Sequence, residues 1–258
     1  MSSPDDARLE RHSRQMLLDA IGGAGQARLG AARVLCVGAG GLGSPVALYL
    51  AAAGVGHLTL LDPDEVSLSN LHRQVLHGSA DLGRPKVESG VERLHELDPE
   101  LSLEGMRARL DADLARVLFA EHDLIVDGSD NFETRFLCND AALAAGKPLV
   151  HGGVLGFVGQ VTLIDGRHGG CYRCLFEAPP PPGEVPPCSE AGVLGAVCGV
   201  IGSVMATEAI KRLVDPEGEA LPHLAGRLFV WDGLAARGRT LSLPRREGCP
   251  ACAAGGER

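Results

Sequence analysis

The sequence predicts an α/β protein: a Rossmann-like, mainly parallel sheet with helices on both faces, extended by antiparallel strands and closed by a C-terminal pair of cysteine knuckles. Three observations predict it. Short apolar runs alternate with amphipathic stretches of crossover length as far as residue 150. One of those runs leads directly into Gly38-Ala-Gly-Gly-Leu-Gly43. Beyond residue 150 the apolar runs continue without crossover helices between them.

Residues 7–29 alternate charge with Leu and Ile and read as helical, interrupted by Gly22-Gly23. Arg33-Val-Leu-Cys-Val37 is a strand, followed by the glycine turn and an alanine-rich helix to about Gly54. A second strand, His57-Leu-Thr-Leu-Leu61, ends in Asp62 and completes a βαβ unit. Residues 85–97 form a helix with Val87, Val91 and Leu94 on one face, Leu101 to Arg107 a strand, and 111–120 a helix. His122-Asp-Leu-Ile-Val-Asp127 is the next strand, then a helix from about Phe132 to Ala145, then a strand at Pro148-Leu-Val150. Phe157 to Ile164, Gly226 to Trp231 and Arg239 to Leu243 supply the antiparallel extension. Between them, Ala178 to Pro187 carries prolines at 179–182, 186 and 187 and reads as extended and solvated. The uncharged run Ala191 to Ala206 is shorter than the roughly 20 residues that span a bilayer, so it is expected to pack inside the protein.

The chain has 258 residues, which suits a single domain with appendages. Its net charge of −9 repels a phosphate backbone, and 3% aromatic content leaves few rings for base stacking, so nucleic acid is excluded as a partner. Met1 to Glu10 is polar and acidic without a signal peptide, which leads to the expectation of a cytoplasmic protein and no membrane association. In a reducing compartment the eight cysteines are read for metal or catalysis rather than disulfides.

Gly38-x-Gly40-x-x-Gly43 lies between a strand and a helix, with Asp62 nineteen positions beyond Gly43. Glycines let the backbone approach a phosphate, the helix N-terminus offers free N–H groups, and Asp62 can accept from a ribose hydroxyl. That pattern reads as nucleotide binding, and taken alone it also fits an NAD-dependent oxidoreductase. Further on, Asn70-Leu-His-Arg73-Gln74 and Arg84-Pro-Lys86 add cations and amides that a nicotinamide does not need. A triphosphate attacked at its α-phosphorus does need them, because negative charge builds on its oxygens. Asp127-Gly-Ser-Asp130-Asn131 closes a strand at its carboxyl end, where an acid beside phosphates is a natural Mg²⁺ ligand, or else an N-cap of the next helix.

Arg11-His-Ser-Arg14-Gln15, the glycine loop, Ser67-Leu-Ser-Asn70-Leu-His-Arg73-Gln74, Arg84-Pro-Lys86, Asp127-Gly-Ser-Asp130-Asn131, Cys171-Tyr-Arg-Cys174 and Cys249-Pro-Ala-Cys252 together resemble the ThiF/MoeB/HesA proteins, prokaryotic relatives of ubiquitin-activating enzymes. The resemblance spans residues 8–252. It implies that ATP adenylylates the C-terminal Gly-Gly carboxylate of a small ubiquitin-like sulfur carrier, which is later converted to a thiocarboxylate. It also implies that Arg73 and Lys86 contact the phosphates, that Asp62 holds the ribose and that Asp130 binds Mg²⁺. Gly38, Gly40, Gly41, Gly43, Asp64, Asn70, Gln74 and Asn131 would line the same pocket. Arg14 would reach the neighbouring subunit's site in a homodimer; otherwise Arg11 and Arg14 are the wet face of a helix. On this reading residues 1–258 are one adenylation domain: an arm over 7–30, a nucleotide-binding half over 31–150, and a carrier-binding half over 151–258 with a crossover loop at 175–192. With no rhodanese sequence after Cys252, the sulfur donor is expected to be a separate cysteine desulfurase or rhodanese.

Cys171-x-x-Cys174 and Cys249-x-x-Cys252 offer four thiols for a structural zinc ion, as the resemblance also implies, although a CxxC can also be a redox pair. Cys188, after the prolines, matches the crossover-loop cysteine of the family, which forms a thioester or acyl-disulfide with the carrier. Cys36, Cys138 and Cys198 read as small buried hydrophobes. A non-catalytic dimeric scaffold is the third reading, disfavoured because a scaffold has no use for Arg73, Lys86 and Asp130 together.

Overall fold

The structure is a computed structural model and describes residues 4–181 and 192–252. Helices α1 (Pro4–Met16) and α2 (Gly22–Ala31) lead into β1 (Arg33–Val37), α3 (Gly43–Ala52) and β2 (His57–Leu61). Then come α4 (Lys86–Leu97), β3 (Ser102–Met106), α5 (Ala112–Glu121), β4 (Leu124–Asp127), α6 (Phe132–Ala145) and β5 (Leu149–Leu155). The chain continues with β6 (Val158–Ile164), a short α7 (Tyr172–Leu175), the long α8 (Gly195–Val214), β7 (Arg227–Asp232) and β8 (Arg237–Ser242).

All eight strands form one sheet in the order β3-β2-β1-β4-β5-β6-β7-β8. The first five are parallel, and β6, β7 and β8 are added antiparallel. Both the parallel α/β half and the antiparallel extension therefore stand where the sequence pattern put them. Strand side chains alternate between two apolar layers, as the two-residue period requires. Val34, Cys36, Leu58, Leu60 and Val126 pack with Leu29, Val46, Leu50, Leu94, Ile201 and Met205, covered by α2, α3, α4 and α8. Leu35, Ile125 and Leu149 point the other way, to Phe119 of α5, Phe136 and Ala142 of α6, and Tyr172 of α7.

Two differences from the sequence reading have local causes. The break in the N-terminal helical stretch falls at residues 17–21 rather than at Gly22-Gly23, because the chain reverses between Leu18 and Gly22, and Gly22, with a left-handed φ of 52°, opens α2. Strand β5 runs five residues past Val150, through Gly152-Gly153. A Cβ on Gly152 would collide with Met205, and one on Gly159 with Ile201, so these strand glycines let α8 lie close against the sheet. The apolar run ending at Ala206 supplies the first half of α8, where Val197, Cys198, Ile201, Gly202, Met205 and Ala206 are buried, and no described helix is long and apolar enough to cross a membrane. Along the chain the parallel strands place β1 and β4 side by side, with β2–β3 on one side and β5 on the other. That reversal opens a crevice above their carboxyl ends.

Candidate active site

A cleft opens at this reversal. It is walled by the glycine loop, the ends of β1, β2 and β4, and residues from the segment after β2. Gly38, Gly40, Gly41, Asp62, Asp64, Arg73, Gln74, Lys86, Asp130 and Asn131 all line it, so residues spread over 94 positions converge. Gly43 sits just behind, as the first residue of α3.

The loop's shape depends on the absence of side chains. Gly38 has φ 93°, and a Cβ on Gly43 would fall 1.9 Å from Gly38 O. No side chain caps α3; Ser44 N is taken by Gly40 O and Pro45 has no N–H, which leaves the Gly43 N–H at the helix start beside Gly41 and Leu42 of the cleft wall. Asp62 locks the loop from behind: its Oδ2 accepts from Ala39 N at 2.8 Å and its Oδ1 from Asp64 N at 2.9 Å. His77, not singled out by the sequence, donates from Nε2 to Ala39 O at 2.9 Å and is braced by Ser89 at its other nitrogen. Burial pulls its pKa below the ordinary histidine value, in keeping with a neutral ring that donates to a carbonyl.

Lys86 is 4% exposed, and its Nζ lies 2.9 Å from Asp64 and 3.6 Å from Asp62. A buried ammonium of this kind is held in one place at the cleft wall. Arg73 is half-buried, donating to Ser69 O and Asn70 Oδ1, so Asn70 orients the guanidinium as well as standing near the cleft. Gln74 is buried at the wall, and its Oε1 has no hydrogen-bond partner among the described residues.

Asn131 caps α6, accepting from Thr134 N at 2.9 Å. That resolves the N-cap alternative for Asp130: its exposed carboxylate makes no hydrogen bond or ion pair with the described residues and faces the cleft. Such an acid, beside where phosphates would lie, suits a hard cation that takes its other ligands from phosphate and water. Arg135 escaped the sequence reading although it lies in the first turn of a helix that starts at the cleft. It lines the cleft and donates from Nε and Nη2 to Ser129 O. Arg109 and Cys198 also reach the lining.

Of the described residues predicted for this cleft, Gly43 and Asn70 flank the lining and Arg14 is away from it. Arg14 is exposed on α1, whose His12 and Gln15 face the body against Gly54, Gln26 and Ala53. Cys188 lies outside the described residues, as does most of the 175–192 segment. Its far end returns at Gly192–Leu194, where Gly156 N donates to Gly192 O and Leu194 N to Gly156 O.

Outside the cleft lining, Cys171, Cys174, Cys249 and Cys252 gather with all four sulfurs within 4.8 Å of one another. Sulfur separations of 3.9 Å, 3.7 Å and 3.5 Å bracket the ~3.8 Å that a tetrahedron with ~2.3 Å metal–sulfur bonds requires. Burial pushes the Cys249 thiol up, but the N–H groups of Cys252 and Ala251 outweigh it and bring it down to about 7, toward thiolate. Buried Cys36 and Cys138 are pushed up by desolvation and behave as hydrophobes, as expected.

The sequence model of the ThiF family matches residues 12–251. A sulfur carrier protein adenylyltransferase of Thermus thermophilus is 49% identical over 95% of this chain and 90% of its own length. The SAMP-activating enzyme E1 of Haloferax volcanii is 46% identical over 98% of the chain and 92% of its own. Adenylyltransferase and sulfurtransferase MOCS3 of Anopheles gambiae is 47% identical, with this chain spanning 55% of its length. Among solved structures, E. coli MccB with MccA-N7isoASN superposes with a TM-score of 0.81 over 94% of this chain and 74% of that one, at 23% identity, a likeness of fold. Fold, cleft and sequence converge, and the chain belongs to the ThiF family.

Proposed function

We propose that this protein adenylylates the C-terminal Gly-Gly carboxylate of a small ubiquitin-like sulfur carrier, with ATP as donor and pyrophosphate as leaving group. The product would be primed for thiocarboxylate formation in cofactor biosynthesis or tRNA thiolation. One observation carries the reading: the glycine loop, Arg73, Lys86 and the unpartnered Asp130 share a single cleft. Relatives named as adenylyltransferases of sulfur carriers support the same chemistry.

In the reaction a carboxylate oxygen bonds to the α-phosphorus and the bond to the β-phosphate bridging oxygen breaks, leaving charge on pyrophosphate. The N-terminus of α3 and the glycine loop would receive phosphate oxygens. Arg73 and Lys86, held by Asn70 and by Asp64, would meet the charge that develops as the leaving group departs. Asp62, already holding the loop, would accept from the ribose. Asp130 would ligate Mg²⁺, which neutralises triphosphate charge when bound. Neither the cleft nor the relatives favour an oxidoreductase.

Zinc would sit on the four cysteines and tie the segment after β8 to the turn after β6, taking no part in the chemistry. A homodimer would bring Arg14 to the partner's cleft, and exposed Leu9, Leu17 and Leu18 on the same arm support such a contact. The carrier's tail would enter past exposed Leu155, Phe157, Val158 and Leu194, beside cleft residues Val154 and Val193. Cys188 and a separate sulfur donor would act after adenylylation. The halves 31–150 and 151–258 would then divide nucleotide from carrier binding. Exchange of labelled pyrophosphate into ATP, dependent on a Gly-Gly-ended carrier, tests the proposal. Asp130→Asn should lower it at least 100-fold, and carrier-independent or absent exchange in the unaltered protein would overturn the reading.

A further inference from the structure

The floor beneath Asp130 is built from a buried polar chain that the mechanism above does not use. Asp127, at the end of β4, is fully buried, and His151 on β5 is its paired neighbour in the sheet. His151 Nδ1 donates to Asp127 Oδ2 at 2.8 Å. The other carboxylate oxygen accepts twice from Ser129, from N at 3.0 Å and from Oγ at 2.6 Å. Gly128 N is tied to Val37 O of β1, Ser129 O receives Arg135, and Asn131 is fixed as the cap of α6. Residues 127, 128, 129 and 131 are thus each anchored, and Asp130 between them is presented at the cleft.

His151 is itself clamped. Its ring meets Tyr172 edge to face at 4.6 Å, and Tyr172 N donates to buried Asn139 Oδ1. His151 Nε2 is buried without a hydrogen-bond partner, so the ring's one polar contact is the Nδ1–H that faces the carboxylate. Without that donor, Asp127 Oδ2 would be a buried acceptor with nothing to bond, and the turn it organises would relax toward another partner.

We infer that His151 is a positioning residue: through Asp127 it fixes the Gly128–Asp130 turn, so that Asp130 meets the metal of metal–ATP at a set place. The inference rests on the adenylylation reading for its use, but it concerns metal-dependent ATP binding, which needs no carrier.

The experiment measures affinity for a fluorescent ATP analogue with and without Mg²⁺, in unaltered protein, His151→Leu and His151→Asn. Asparagine places an N–H donor close to where Nδ1 stands; leucine has none. His151→Leu should lose the Mg²⁺-dependent gain in affinity by about tenfold while metal-free affinity stays within about twofold. His151→Asn should stay within about threefold of unaltered protein in both. Should His151→Leu fail to fold, Asp127→Asn carries the test, since it keeps the shape but has one acceptor oxygen where Asp127 uses two, and so cannot accept from both His151 Nδ1 and Ser129 N; it should show the same selective metal defect. Equal losses in the leucine and asparagine variants, a matching loss of metal-free affinity, or an unchanged metal response would overturn the inference. Absent carrier-dependent exchange in the unaltered protein would instead strike the adenylylation reading and leave this measurement standing.

Discussion

Replacing Gly43 with alanine, and Gly40 with alanine beside it, separates two roles of the glycine loop. A Cβ at 43 would lie 1.9 Å from Gly38 O and 2.8 Å from Gly38 C, whereas real Cβ atoms keep at least 3.0 Å. Both colliding atoms are backbone, so no side chain can yield; the loop or α3 must move by about 1 Å. Overpacking of this kind costs about 1–3 kcal/mol, which for a chain of this size lowers Tm by roughly 2–12 °C. A displacement of about 1 Å at a phosphate cradle also costs on the order of 100-fold in rate. At Gly40 the added Cβ meets only Gln74 Nε2, at 3.5 Å, an ordinary contact. Gly40→Ala should therefore keep Tm within about 2 °C yet weaken ATP binding, because its methyl group intrudes on the cleft. Thermal unfolding and ATP titration of the two variants decide the matter. Gly43→Ala with unaltered Tm and ATP affinity, or Gly40→Ala as unstable as Gly43→Ala, would refute the steric argument.

Three further outcomes are expected. Mixing Arg14→Ala with Arg73→Ala protein should restore exchange at one site of a mixed dimer, to about a quarter of unaltered activity if subunits assort freely; no recovery would leave Arg14 a surface residue. Metal analysis should find one zinc ion per chain, and stripping it with a chelator should lower Tm by more than about 10 °C, since structural zinc contributes several kcal/mol or more to folding. Finally, burial lowers the pKa of His12, His57, His77 and His122. Each binds its proton more readily unfolded than folded, so stability is retained above the unfolded pKa of ~6.5 and falls as pH drops below it. The urea midpoint should be lower at pH 5.5 than at pH 7.5, and an equal or higher midpoint would contradict the burial argument.

What was legible in the sequence follows from short-range physics. Period-two and period-3.6 patterns located the strands and helices, and glycine spacing between a strand and a helix marked the phosphate cradle. The knuckles were readable because thiol pairs three apart present their sulfurs to one ion. Tertiary structure decided what depends on distant partners. Gly152, a weak strand former, finds its reason only when α8 lies across it, so the true length of β5 was hidden. Asp62 was visible as an acid at a strand end, but its hold on Ala39 N appears only when β1 and β2 stand side by side. Likewise no local pattern tells that Asn131 rather than Asp130 caps α6, or that His151, 24 positions from Asp127, donates to its carboxylate. Local sequence dictates backbone preference and periodicity, whereas a hydrogen bond between strands exists only once the sheet has set their register.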